Sequence, residues 1–270
     1  MKTIRKILSE LKTLLKSNVL RTIYFNFKVL PFSKAIHLPF ILYGKVYFGD
    51  LSGTVEIPKI ISFGMIKIGY KWIDMWPLSF LPTQIQFKGK LMFEGECIIS
   101  GGANINVQSK EGTLTIGKCV VIGGGSVVKC MEKIEVGENT GITGNCNIMD
   151  CNMHFVKNIT TGVVNNYKGS IIIGENCWIN YGTIATKGAV IPDYSISTRG
   201  AFISKDFSEE GTNLFLVGSP AKPGKTKVQR IFSWSKQKEL AAYFRDNKVE
   251  SLQLEPGLES ELNDREGFKN

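Results

Sequence analysis

The chain has 270 residues, 43% of them hydrophobic, enough for a substantial core in one or two domains. Its six cysteines form no C-x-x-C pair and it has only two histidines, which argues against a zinc site and against a metal centre built from several imidazoles. The net charge of +9 is uneven: residues 1–34 carry eight Lys or Arg against Glu10, a net of +7, while residues 250–266 carry six acidic side chains against Arg265, a net of −5.

In chain order, residues 3–20 predict a helix. Ile4, Ile7, Leu8, Leu11, Leu14 and Leu15 share one face and basic residues crowd the others. Such a helix either lies on an anionic membrane surface or packs on its own domain or a neighbouring subunit. Lys12 and Lys16 interrupt the apolar stretch that a signal peptide would need, and no apolar run reaches the roughly 18 residues of a membrane span. The expectation is a cytoplasmic protein, with peripheral contact to the inner face of an anionic membrane through residues 1–20. Residues 31–86 are apolar, aromatic and punctuated by proline, and read as irregular early turns of the structure that follows.

From Phe87 a period of six takes over. Phe87, Phe93, Ile99 and Ile105 are six apart, as are Ile116, Ile122 and Val128; Val136, Ile142 and Ile148; and Ile173, Ile179, Ala185, Ile191, Ser197 and Ile203. Neither a helical period nor strict alternation produces six. A parallel β-helix does, because each unit buries its apolar face only against its neighbours. Four residues after each ladder position stands a second, smaller residue, among them Cys97, Ala103, Ser126, Thr140, Cys146, Cys177 and Thr183. These read as the second inward position of a narrow coil, and the cysteines among them as core thiols in a reducing compartment. Glycine often follows the ladder residue, as at Gly117, Gly123, Gly137 and Gly174, which suggests corners needing positive φ. The ladder breaks over 106–115, where Q-S-K-E-G predicts a protruding turn, and again after Ile148, leaving 155–170 as a loop outside the coil. Residues 228–247 predict a helix, and the acidic end reads as mobile. The segments expected are a basic amphipathic helix (1–30), early coils (31–86), a β-helix (87–205) and a C-terminal extension (206–270).

Three segments carry chemistry: I-G-E-N-C-W-I-N-Y-G-T at 173–183, S-T-R-G-A-F-I-S-K-D at 197–206, and V-G-S-P-A-K at 217–222. Together they resemble the C-terminal signature of hexapeptide-repeat acyltransferases, closest to the sugar O-acetyltransferases that decorate capsule and O-antigen glycans. The resemblance spans about residues 87–225. It implies an all-β solenoid, a left-handed parallel β-helix with helices at both ends, assembled as a homotrimer with active sites between subunits and acetyl-CoA as co-substrate.

The segment I-M-D-C-N-M-H-F-V at 148–156 resembles the family's catalytic segment, and His154 matches the general base. A base with a near-neutral pKa suits removal of a sugar hydroxyl proton. Strict periodicity would bury His154, six after Ile148, but the ladder fails right after it. His37 lies in no motif and reads as structural. Asp150 is the candidate to orient His154 and stabilise its imidazolium, with Asn152 as the competing partner. The resemblance assigns Trp178, Asn180, Thr198, Arg199, Gly200, Ser204, Lys205 and Lys222 to the CoA site, the lysines as phosphate partners. Asn180 and Tyr181 depart from the smaller residues usual there, and Arg199 stands where alanine is more usual. The function implied is acetyl-CoA-dependent O-acetylation of a sugar or glycan precursor, without a metal. The alternatives are N-acylation of an amino-sugar nucleotide and a non-catalytic assembly role on the same scaffold. Nucleic-acid binding is disfavoured because the basic residues concentrate on one amphipathic helix.

Overall fold

The computed structural model describes residues 2–71 and 81–254, with side chains from residue 8 onward. The described chain is a three-sided parallel β-helix, with helices at both ends. Side A stacks nine strands, side B seven and side C six, and every pairing between successive coils is parallel. Coil 1 runs through Phe40–Leu42, Val46–Phe48 and Thr54–Glu56, and coil 2 through Ile66–Tyr70, Thr83–Phe87 and Lys90–Phe93. Coil 3 takes Cys97–Ser100, Asn104–Val107 and Thr113–Ile116, and coil 4 Val120–Ile122, Val127–Cys130 and Lys133–Val136. Coil 5 comprises Gly141–Ile142, Asn147–Met149 and Ile171–Ile173, and coil 6 Trp178–Ile179, Ile184–Thr186 and Val190–Ile191. Coil 7 holds Ile196–Ser197 and Phe202–Ile203, and closes with Asp206 bridging to Val190. Phe215–Val217 then adds to side A and is covered by Lys222–Pro223, the one antiparallel strand pair among the described residues.

Every residue of the four ladders is buried. On side A, Ile68, Ile99, Ile122, Ile142 and Ile179 stack in one column; on side B, Ile85, Ile105, Val128, Ile148, Ala185 and Ile203 form the next. Side C points two large residues inward per coil, as at Ile134 with Val136 and Ile171 with Ile173, which is why the period slips there. The small inward residues are buried too, and the polar ones join consecutive coils. Thr140 Oγ1 donates to the Gly174 carbonyl at 2.8 Å and accepts from Cys177 N–H at 3.0 Å. Ser126 Oγ likewise donates to Thr143 O at 2.8 Å and accepts from Cys146 N–H at 3.1 Å.

Two expectations change in their physical reason. The glycines after the ladder residues do not serve positive φ. A Cβ on Gly117 or Gly137 would lie within 2.8 Å of the next coil's backbone, so glycine is required by close approach. The left-handed residue comes two positions later, at Cys119 (φ 57°), Asn139 (61°) and Asn176 (54°). The coil also begins earlier than its clear period, at Phe40, because long connections such as 57–65 break the spacing in coils 1 and 2.

The N-terminal helical region is two helices. α1 (Lys2–Lys16) ends at Ser17, whose Oγ bonds the Leu14 carbonyl at 2.6 Å, and Asn18 caps α2 (Val19–Val29) by accepting from Arg21 N–H at 3.3 Å. α2 lies across the open end of the stack and supplies what a further strand would. Thr22 Oγ1 accepts from Leu42 N–H at 3.0 Å, and Asn26 both accepts from Phe40 N–H at 3.1 Å and donates to Phe40 O at 2.8 Å. Phe25 plugs the coil interior between the rings of Phe40 and Phe48, with centroids 5.1 and 5.3 Å away. A short helix, α3 (Phe32–Ala35), leads into coil 1. At the other end, α4 (Trp234–Asn247) starts later than residue 228, because Val228 is still tied to the coil through the Asn213 carbonyl and Ser233 is the N-cap. The acidic run ends outside the described residues. Among the described residues no helix is long and apolar enough to cross a membrane.

Candidate functional site

The corner between sides B and C is short in most coils: Met131 and Glu132 suffice in coil 4, and residues 187–189 in coil 6. In coil 5 the chain instead leaves after Met149 and returns at Ile171. The excursion is a narrow antiparallel finger, with Cys151 bridged to Lys168 and Lys157 to Val164. Asn152 N–H bonds Tyr167 O at 2.8 Å, Gly169 N–H bonds Asp150 O at 2.9 Å, and Phe155 packs edge-on against Tyr167. His154 is exposed on this finger, beside Met153 at φ 63°.

Asp150, the candidate to orient His154, makes its side-chain hydrogen bonds to the backbone of residues 131–133. It is fully buried at the root of the finger. Its Oδ1 accepts from Met131 N–H at 2.7 Å, and its Oδ2 from Glu132 and Lys133 N–H at 2.7 and 2.9 Å. Both oxygens are engaged in closing the coil 4 corner, where the peptide N–H groups would otherwise lack a partner. Asn152 likewise uses its backbone N–H to close the finger.

The residues assigned to the cofactor fall on other parts of the prism. Thr198, Arg199 and Gly200 form the A–B corner of coil 7, directly after Asn180 and Tyr181 at the same corner of coil 6. The Arg199 guanidinium lies 4.9 Å from the Tyr181 ring centroid, and the Tyr181 hydroxyl accepts from Asn145 Nδ2 at 3.1 Å, so the three build a polar column up this edge. Gly200, at φ 69°, leaves open space around its α-carbon. The N–H groups of Thr198 and Gly200 are already given to Leu216 O and Tyr181 O. A ligand at this corner therefore finds those two N–H groups already in use. Asn180 is tied inward, with its N–H on Ser197 Oγ at 2.9 Å and its Oδ1 on Tyr181 N–H at 2.8 Å.

Ser204 and Lys205 sit on the B–C edge, exposed, the same edge from which the His154 finger leaves two coils earlier. Lys205 Nζ rests 4.6 Å from the Phe207 ring centroid. Lys222 is exposed on the strand that closes side A. Lys227 donates to Glu210 O and Thr212 O at 3.0 and 2.8 Å and so fastens the chain's own turn.

Trp178 projects from side A and is half-buried, but its ring is covered by the same chain. The Arg230 guanidinium stands 4.6 Å from the Trp178 ring centroid and 4.8 Å from that of Phe232, between the two. Burial pulls the Arg230 pKa down to about 10, which leaves it cationic at neutral pH. The indole N–H is buried and meets no acceptor among the described residues. Arg230 and Phe232 escaped the sequence reading because they follow the last motif and carry no period. Their only signal was an arginine and an aromatic residue shortly after G-S-P-A-K.

Apart from Trp178 and Lys222 on side A and the buried Asp150, the predicted residues divide between two edges. His154, Ser204 and Lys205 share the B–C edge, while Asn180 and Thr198–Gly200 share the A–B edge, with side B between them. One chain alone does not bring them to one point. Among the described residues no group of three His, Cys, Asp or Glu side chains is arranged to hold a metal.

No protein-family profile and no curated relative matches the sequence. Solved structures with a similar fold include the polysialic-acid-specific acetyltransferase NeuO, at 18% identity and a TM-score of 0.44, covering 75% of this chain and 93% of that one. The polysialic acid O-acetyltransferase OatWY is 13% identical with a TM-score of 0.39, covering 74% and 97%. AntD, an N-acyltransferase from Bacillus cereus solved with dTDP and 3-hydroxybutyryl-CoA, is 14% identical with a TM-score of 0.39, covering 75% and 88%.

Proposed function

We propose that this chain is an acyl-CoA-dependent O-acyltransferase, with acetyl-CoA as donor and a hydroxyl of a sugar or glycan precursor as acceptor, working as a homotrimer in the cytoplasm. The observation that carries the reading is the exposed His154, held on a finger that interrupts an otherwise closed coil beside a motif resembling the catalytic segment of hexapeptide-repeat acyltransferases. The division of the remaining residues between two edges supports a site shared by subunits, in which the B–C edge of one protomer meets the A–B edge of the next.

In this mechanism the imidazole of His154 takes the proton from the acceptor hydroxyl as the oxygen attacks the thioester carbonyl. The carbon–sulfur bond breaks, and the proton held by His154 passes to the departing thiolate. No covalent intermediate on the protein is required. Arg199, Lys205 and Lys222 are exposed cations on or near these edges, and they would meet the phosphates of CoA as charge partners. Trp178 would contribute through the wall that it builds with Arg230, since its ring face is already covered.

Incubation with acetyl-CoA and a panel of sugars and glycans, read by mass spectrometry, tests the reading. The expected product carries an acetyl group that mild alkali removes, as an ester does. An alkali-stable product would mark an amide and the N-acyltransferase alternative, and no acetyl transfer to any acceptor would leave the non-catalytic one. His154→Ala should lower kcat by about 10²–10⁴ with the oligomer intact; near-normal turnover would remove His154 from the mechanism.

A further inference from the structure

α2 carries apolar side chains on the face that it turns outward as well as on the face that it packs against the coil. Its inward face carries Thr22 and Asn26, which hydrogen-bond the free edge of the first side A strand, together with Phe25. Its outward face carries Leu20, Ile23 and Phe27, all exposed, Leu20 to 82%. The hydrogen bonds from Thr22 and Asn26 run along the stacking direction, as inter-strand bonds do in a β-helix, so the opposite face of α2 points off the end of the prism. α1 adds to this: Leu8, Leu11 and Leu15 lie on its apolar face and are exposed. Phe32 at the start of α3 is 72% exposed. Patches of this extent are uncommon on soluble surfaces without a partner.

The charge of the same segment identifies the partner. Residues 1–34 carry a net +7, and Lys12, Lys16 and Lys28 are exposed beside the apolar residues. Arg21 is not part of this set, since it donates to Val46 O and lies over the Tyr47 and Phe48 rings. End-to-end stacking of two copies would bring two such basic surfaces together, which electrostatic repulsion opposes. A bilayer with anionic headgroups satisfies both features at once: acyl boundary for the leucines and phenylalanines, phosphates for the lysines.

We propose that the N-terminal end of the coil stack docks on an anionic lipid surface through the outward face of α2 and the apolar face of α1. This does not rest on the acyl-transfer reading, because it concerns the opposite end of the chain from the candidate catalytic edges and its readout is binding.

The test is flotation of the full-length protein with phosphatidylcholine vesicles, with and without phosphatidylglycerol. The protein should float with the mixed vesicles, stay behind with the neutral ones, and be released in large part by high salt. Leu20→Gln with Phe27→Gln should weaken binding at least about tenfold. Lys12→Gln with Lys16→Gln, placed on α1 away from the coil, should weaken it about thirtyfold. Circular dichroism checks that each variant keeps its β signal, and the lysine pair carries the test if the α2 pair does not fold. Failure to float with the mixed vesicles overturns the proposal, as does undiminished binding by folded variants. So does a concentration-dependent dimer that the same substitutions abolish, which would give the surface to a second copy.

Discussion

At the scale of single residues, Asp150 and the cysteines carry the sharpest expectations. Asp150→Asn would keep the shape but replace one oxygen with an NH₂ group aimed at the N–H donors of residues 131–133. The loss should be about 2–4 kcal/mol, read as a lower urea midpoint. A stable Asp150→Asn protein with kcat lowered as in His154→Ala would instead restore the orienting role that the sequence suggested. The six cysteines are buried thiols, none in a disulfide. Burial raises the thiol pKa values of Cys97, Cys130, Cys146, Cys151 and Cys177, from 9.0 up to about 11 for Cys146 and up to about 12 for Cys177. They should react with a thiol reagent only after unfolding, and rapid labelling of the native protein would contradict the packing. Because the folded state holds the neutral thiols, this contribution is intact below the unfolded pKa near 9.0 and is lost as pH rises through about 11 and 12. Tyr43, raised to about 12 mainly by burial, acts in the same direction. Urea midpoints should therefore fall between about pH 8 and about pH 10.5, and a flat profile would contradict it.

At the scale of elements, α1 and α2 differ in kind although the sequence joins them in one basic helical segment. Deleting residues 1–17 removes α1 and leaves the end cap, so the coil should unfold at nearly the same denaturant concentration. Deleting residues 1–26 removes Phe25 and exposes the Phe40 and Leu42 edge, which should cost about 4 kcal/mol or more and promote aggregation through the freed strand. Equal stability of the two truncations would deny α2 its capping role.

At the scale of the whole molecule, the decisive property is that one prism has its candidate residues on different edges. If the active site is shared between subunits, then His154→Ala and Arg199→Glu, each poorly active alone, should recover activity when refolded together, because some mixed trimers then contain one site with both intact edges. Two stable, trimeric, poorly active variants that never complement would place catalysis within a single protomer. The prism also sets a distance. Strands stack about 4.8 Å apart, so the finger in coil 5 stands about 20 Å along the axis from coil 1, far enough to leave it clear of a surface holding the N-terminal end.

What could be read from the sequence was what depends on local repetition. Ile173, Ile179, Ala185 and Ile191 had to face inward at a six-residue interval, and the structure buries all of them. His154 stood out through a motif at the point where the period fails, and the excursion that exposes it begins at residue 150, earlier than the loop expected at 155–170. The early coils could be read only as irregular, without strand bounds, because their connections break the period, although their strands pair in parallel like the rest. The capture of Asp150 by three backbone N–H groups, the Arg230 guanidinium over Trp178, and the use of Thr22 and Asn26 of α2 to cap the first strand were decided only by tertiary structure. Each depends on which backbone edge or ring lies opposite, and a one-dimensional period holds no record of what faces it across the coil.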